Sequence, residues 1–103
     1  MQNKGILEAL AKAIAEYGYS KYSFVIDNNQ ADKVIGGVKD TLEVNNYIIK
    51  NVEVVFNTAQ IIVVRSNTYT STYGWESCDS ALMLSCIKRV YRGEELIFGS
   101  TEE

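Results

Sequence analysis

The sequence predicts a single α+β domain over residues 1–103, with an antiparallel sheet of four to six strands and two main helices. Two observations support this class. Apolar residues recur at helical spacing in 3–17 and again in 78–92. Between these segments lie short runs rich in β-branched and aromatic residues, separated by turn residues, as in strands joined by short loops. A chain of 103 residues, 47% of them hydrophobic, is long enough for one core and too short for two.

The N-terminal helix is expected over 3–17, where apolar side chains fall on one face at a spacing of three and four. This face consists of Ile6, Leu7, Leu10, Ile14 and Tyr17. Asn3 can cap the first turn, and Gly18 stands where a glycine commonly ends a helix.

The second helix is expected over 78–92, in the C-terminal region. Its apolar stripe consists of Leu82, Met83, Cys86, Ile87 and Val90. Ser77 can cap it, and Asp79 adds an anion to the first turn, where the helix dipole favours one. Gly93 follows at the other end and predicts its termination.

Strands are predicted wherever β-branched and aromatic residues dominate. The segments are Tyr22–Asp27, Tyr47–Lys50, Val52–Phe56 and Gln60–Arg65. Asn57–Ala59 predicts a hairpin turn between the last two. Both of these strands contain consecutive apolar residues, whereas a sheet with one wet face would alternate apolar and polar residues. We therefore expect them to be central, with a helix on one face and a second layer or a second subunit on the other.

Residues 30–44 fit a helix or two short strands. A helix would place Gly36 and Gly37 in its middle, at a cost of about 2 kcal/mol relative to alanines. This cost favours strands at Val34–Val38 and Thr41–Val44, with a bulge or bend at the glycines.

Residues 66–77 contain no aliphatic side chain, and they fit either a continued strand with a polar face or a surface loop. Glu95–Phe98 is expected to be a last edge strand. Residues 99–103 are expected to fray.

The sequence lacks the residues that several kinds of catalytic and binding site require. The chain has no histidine, so a Ser-His-Asp or Cys-His nucleophilic pair and a His-Cys zinc site cannot form. No glycine-rich phosphate loop is present, and no cofactor or metal is expected. The net charge of −3 comes without a basic stripe, so no nucleic acid is expected as a partner. No 18-residue apolar run or secretion leader is found, so no membrane contact is expected.

The two cysteines, Cys78 and Cys86, fall within the second predicted helix. Eight residues of helix would separate them by about 12 Å, beyond the reach of a disulfide. We therefore predict free thiols and a reducing, cytoplasmic setting.

The best candidate binding site lies in residues 66–77. Tyr69, Tyr73 and Trp75 are large, stiff and amphipathic, and the Ser and Thr residues around them supply adaptable hydrogen bonds. Arg65 immediately precedes the segment and is included in the candidate site. The competing interpretation is that these rings close one end of the core.

Three other sets of side chains have ordinary structural explanations. They are the tyrosines Tyr17, Tyr19 and Tyr22; the carboxylates Glu43, Glu53, Glu94 and Glu95; and the cations Lys88, Arg89 and Arg92. The tyrosines suit packing at the first helix–strand junction, and the carboxylates suit a solvated surface. The cations suit the C-terminal end of the second predicted helix, where the dipole favours positive charge.

The sequence thus predicts a non-catalytic protein–protein interaction module. One concrete version is a small accessory or inhibitor protein of a phage or mobile element, because residues with AT-rich codons outnumber those with GC-rich codons. The alternative is a small-ligand binder or histidine-free enzyme that uses carboxylates and tyrosines in a cleft. A homodimer is also expected, because α+β folds usually pack their helices on one face, which would leave the other face of the sheet apolar and uncovered. Helices on opposite faces would instead give a self-sufficient monomer.

Overall fold

A computed structural model describes residues 2–42 and 46–100. The α+β class, the antiparallel sheet and the N-terminal helix are confirmed. The helices are α1 (Gln2–Tyr17) and α2 (Lys39–Leu42), with 3₁₀ turns at Asn28–Lys33 and Leu84–Cys86. The strands are β1 (Tyr22–Ile26), β2 (Val34–Gly36), β3 (Ile48–Asn57), β4 (Ile61–Thr70), β5 (Gly74–Met83), β6 (Ile87–Arg92) and β7 (Glu95–Phe98).

The sheet has 7 strands in the order β2-β5-β4-β3-β1-β6-β7, rather than four to six. Ile6, Leu10 and Ala13 of α1 join the same core as Val38 and Leu42 around α2. The strand residues buried in this core are Tyr22, Phe24, Ile26, Val34, Ile49, Val52, Val54, Ile62, Val64, Leu82, Ile87 and Val90. Both helices therefore cover the same face of the sheet.

The second predicted helix, over 78–92, is wrong. This segment forms the end of β5, a 3₁₀ turn and then β6. On β5, Ser80 and Leu82 are buried whereas Ala81 and Met83 are half-buried, which is the alternation of a strand. The apolar residues of this segment therefore fit both the helical period and the strand period. The continuous pairing of β5 with β4 selects the strand.

The segment 30–44 is partly as predicted. β2 forms at Val34–Gly36 and ends at Gly36, whose φ of +122° bends the chain as expected. The strand expected at Thr41–Val44 is wrong at its start, because Thr41 and Leu42 belong to α2. The rest of it, residues 43 and 44, lies outside the described residues.

The β3–β4 hairpin is confirmed, and both strands are central. The Thr58 N–H donates to the Ile61 carbonyl across 2.9 Å and closes the predicted turn. Helices cover one face as expected, but no second layer of the described chain covers the other, and cover by a second subunit stays a prediction. Val64 is buried on the helix side, whereas Val63 is half-buried and Phe56 is 53% exposed on the opposite side.

Two further expectations can be compared with the structure. Residues 66–77 form a continued strand pair with a short turn, rather than a loop throughout. Glu95–Phe98 is an edge strand, as predicted. Of the tail expected to fray, residues 101–103 lie outside the described residues. No helix within the described chain is long and apolar enough to cross a membrane.

Cys78 and Cys86 are both free, although they lie on a strand and a 3₁₀ turn rather than on a helix. Cys86 is buried, and this burial raises the pKa of its thiol to about 11. Cys78 is half-buried on β5. Because only a thiolate is a strong nucleophile, the two thiols should differ in reactivity.

We expect iodoacetamide at about pH 8 to label Cys78 in the folded protein and Cys86 only after unfolding. Intact mass should show one adduct before guanidinium is added and two adducts afterwards. Two adducts on the folded protein, or an intrachain disulfide, would contradict this assignment.

Candidate functional site

The candidate site is carried by the β4–β5 hairpin, which extends beyond the rest of the sheet. β4 pairs with β5 without a register shift from Ile61 to Thr70. β3 pairs with β4 only as far as Arg65, and β2 pairs with β5 only as far as Ser80. Residues 66–78 therefore form a two-stranded projection, which we call the ribbon.

Two polar cross-strand pairs brace the base of the ribbon on the face away from the helices. Arg65 Nε and Nη2 donate to the two carboxylate oxygens of Asp79, across 2.7 Å and 3.1 Å. The Ser77 hydroxyl donates to Asn67 Oδ1 across 2.7 Å. The hydrogen bond from Arg65 lowers the pKa of Asp79 below its usual value. The pair is 40% and 45% exposed, so it fixes the register more than it stabilises the fold.

An aromatic pair continues the same row toward the tip. The ring centroids of Tyr69 and Trp75 lie 5.4 Å apart, with the ring planes at 67° in an edge-to-face arrangement. Tyr69, Trp75 and the nearby Tyr73 are 63%, 74% and 77% exposed. The alternative that these rings close the core is therefore wrong.

The turn at the tip is held by its own hydrogen bonds. The Tyr73 N–H donates to Thr70 Oγ1 across 3.0 Å, and the Thr70 hydroxyl donates to the Gly74 carbonyl across 3.5 Å. Gly74 adopts a φ of +76°, which glycine accommodates without steric cost. These hydrogen bonds therefore order the turn that carries Tyr73 and connects the strands of Tyr69 and Trp75.

The sequence identified Arg65, Tyr69, Tyr73 and Trp75, and the structure brings all four to the hairpin. It missed Asp79, because that residue was assigned to the first turn of a helix. The other bracing residues, Asn67 and Ser77, were also missed. A turn centred between Thr70 and Gly74 would have revealed these pairs, since cross-strand partners are equidistant from the turn.

The junction tyrosines differ from one another. Tyr22 is fully buried, and its hydroxyl donates to the Gly18 carbonyl across 2.6 Å, as packing at the junction requires. Tyr19 is 55% exposed, so it is not core. Tyr17 is 39% exposed and donates to Glu95 Oε1 across 3.1 Å.

A groove of about 370 Å³ between α1 and β7 is lined by carboxylates and a tyrosine. These are the residue types that the alternative function, a ligand binder or histidine-free enzyme, would use. The polar lining of the groove consists of Lys12, Glu16, Tyr17 and Glu95. The hydrogen bond to Glu95 and the charge of Glu16 raise the pKa of Tyr17. The phenol is therefore held in its protonated form, which makes it a poor base or nucleophile.

A second groove, of about 550 Å³, lies on the opposite face of β1, β3 and β6. Its polar lining includes Ser23, Lys50, Arg89, Tyr91 and Glu94. Arg89 Nη1 donates to the Ser100 carbonyl across 3.2 Å, so this guanidinium contacts the chain itself. The groove mixes both signs of charge and contains one carboxylate.

The remaining charged candidates are dispersed. Glu53 lies opposite Arg65 in the sheet, and Glu43 lies outside the described residues. Lys88 and Arg89 are neighbours on β6, where successive side chains point to opposite faces, so they form no single basic patch. The helix-dipole explanation for these cations is wrong, because no helix ends there. Among the described residues, no cluster of three or more metal-ligating side chains is found.

Comparisons with protein families, curated proteins and solved structures found no match to this chain.

Proposed function

We propose that the protein is a non-catalytic protein–protein interaction module that binds its partner through the tip of the ribbon. The observation that carries this proposal is the joint exposure of Tyr69, Tyr73 and Trp75 on a hairpin braced by its own cross-strand pairs. Tyrosine and tryptophan are enriched among the residues that dominate binding energy in protein interfaces.

The surroundings of these rings favour a protein partner. Glu76 is the only charged residue among residues 66–78, so little charge must be desolvated on binding. Hydroxyl and amide side chains beside the rings can hydrogen-bond to a polypeptide backbone. The ordered turn also reduces the conformational entropy lost when the aromatic side chains are immobilised.

The cleft alternative rests on the groove between α1 and β7. Glu16 and Glu95 line it with Tyr17, which supplies the residue types that a histidine-free site would use. The raised pKa of Tyr17 and the exposure of its ring favour a surface role over a catalytic one. A ligand binder therefore remains the second candidate.

The narrower biological proposal is an accessory or inhibitor protein of a phage or mobile element, acting in the cytoplasm. The codon bias of the composition supports the source, and the free cysteines support a reducing compartment.

The test is capture of partners from native host lysate, identified by mass spectrometry, with wild type and a Tyr69→Ala/Trp75→Ala variant as baits. We expect the variant to lose at least about 30-fold of its partner affinity, the effect of removing a hot spot of 2 kcal/mol. A Tyr19→Ala bait is the matched control, since it removes an exposed aromatic ring outside the ribbon.

Equal capture by wild type and the double variant would overturn the ribbon assignment. If Tyr17→Ala then abolished binding, the cleft alternative would replace it. Circular dichroism should show that all baits are folded, because the substituted side chains are exposed.

A further inference from the structure

The face of the sheet away from the helices carries an apolar row across four neighbouring strands. At one level of the sheet, β2 pairs with β5, β5 pairs with β4, and β4 pairs with β3. The residues of this row are, in strand order, Ile35, Ala81, Val63 and Phe56. We call this surface the outer face.

The outer face is apolar and open within the described chain. Ile35 and Phe56, at the two ends of the row, are 69% and 53% exposed. α1 and α2 pack with Ile62, Val64 and Leu82 on the opposite side, so neither helix covers it. Exposed apolar groups that form a contiguous surface commonly mark an interface.

The row is nearly symmetric about a line that runs parallel to the strands, midway between β4 and β5. Large apolar side chains, Ile35 and Phe56, stand at equal distances from this line. Smaller ones, Ala81 and Val63, flank it on either side. A second copy generated by a 180° rotation about this line therefore places the partner's Phe56 over Ile35 and the partner's Val63 over Ala81. Large side chains then meet large ones, and small side chains meet small ones.

The charges follow the same symmetry. In the next outward-pointing row, Arg65 on β4 lies opposite Asp79 on β5, so the line passes between a cation and an anion. The half-turn places Arg65 over the partner's Asp79 and Asp79 over the partner's Arg65. Glu53, on the far side of Arg65, lies at the rim of the contact. A half-turn about an axis that crosses the strands at the level of Arg65 and Asp79 would instead place each charge over its own copy, which is repulsive.

We propose that the outer face binds a second copy of this chain about a two-fold axis parallel to the strands, between β4 and β5. Sheets that pack face to face lie about 10 Å apart with their strands within about 30° of each other, which this axis permits. The charge complementarity of the Arg65–Asp79 row selects a second copy as the occupant, because the surface complements itself.

Tyr69 and Trp75 continue the outward row of Arg65 and Asp79, so they clear the partner's ribbon only where the two ribbons diverge. Tyr69 lies six residues beyond Val63, or about 20 Å along the strand. A crossing angle of about 30° separates the two ribbons by about 10 Å at that distance. The proposed dimer contact is therefore centred on the apolar row of the outer face, whereas the proposed partner site is at the tip of the ribbon.

Sedimentation equilibrium tests the interface. At tens of micromolar we expect the wild type to have the mass of two 11.5 kDa chains. Ile35→Glu and Phe56→Glu should each weaken self-association at least tenfold, because each buries a carboxylate against an apolar surface. Tyr73→Glu is the matched control, since it adds the same charge at the tip, and it should leave the dimer unchanged.

A monomeric wild type, or a dimer that survives both outer-face substitutions, would overturn the proposal. Failure of the ribbon proposal is separate, because it is measured by partner capture with Tyr69 and Trp75 variants whose self-association is determined in parallel by sedimentation.

Cross-linking tests the axis itself. In a Cys78→Ser background, chains carrying Ile35→Cys are mixed with chains carrying Phe56→Cys and treated with a bismaleimide that spans about 10 Å. The proposed axis places residue 35 opposite residue 56 of the partner, about 10 Å away, and about 17 Å from the partner's residue 35. The mixture should therefore form covalent dimers several-fold faster than either variant alone. Equal or faster cross-linking of a single variant would overturn the axis.

Discussion

Replacing Gly36 with alanine is expected to lower the free energy of unfolding by about 3 kcal/mol or more. Gly36 has a φ of +122°, a conformation that L residues rarely adopt. A Cβ at this position would lie 2.5 Å from Ser80 Oγ, 2.8 Å from the Asp79 carbonyl oxygen and 2.8 Å from Ser80 Cα. Backbone atoms of β5 cannot move away without disturbing the pairing of β2 with β5. Denaturant unfolding followed by circular dichroism measures the loss.

Gly18→Ala is the matched control for this experiment. Gly18 has a φ of +87°, but a Cβ there would meet nothing within 4 Å. Only the conformational cost of about 1 to 2 kcal/mol should appear. Equal losses for the two variants would mean that the close approach of Gly36 to β5 does not constrain the fold.

Leu82→Ala and Ile87→Ala are each expected to cost about 2 to 5 kcal/mol, as large-to-small changes in a core do. Leu82 is 0% exposed on β5, and Ile87 is 7% exposed at the start of β6. Both side chains face the core that α1 covers, so truncation leaves a cavity that the surrounding strands can fill only in part.

The control is Tyr73→Ala, which removes a larger side chain that is 77% exposed. Its cost should stay within about 0.5 kcal/mol, as for ordinary surface substitutions. Losses for Leu82→Ala or Ile87→Ala that are as small as this would show that these side chains do not face the core.

The elements that could be predicted from sequence are those with one unambiguous period. α1 combines a helical apolar face with a terminal glycine, and the β3–β4 hairpin combines β-rich runs with a turn. The segment 78–92 could not be predicted in this way. Its apolar residues fit a helix face and a pair of strands equally well, and the partner strand that decides between them is distant in sequence.

The candidate site was predictable in part. Composition identified Tyr69, Tyr73 and Trp75, because aromatic residues among Ser and Thr are typical of recognition surfaces. The outer face was not identified residue by residue, since Ile35 and Phe56 become neighbours in one row only through the pairing of four strands. The sequence predicted an uncovered face only if both helices packed on one side, whereas the register showed which side chains lie on that face.

The strand order also has a consequence for the order of folding. β3, β4 and β5 are consecutive in sequence and adjacent in the sheet, so their pairings close short loops. β1 lies between β3 and β6, and its pairing of Tyr22 with Arg92 joins residues near opposite ends of the chain. Contacts between distant residues are formed more slowly, because a long loop must be closed first. In pulse-labelling hydrogen exchange, amides of β4 and β5 should therefore become protected during refolding before those of β1 and β6.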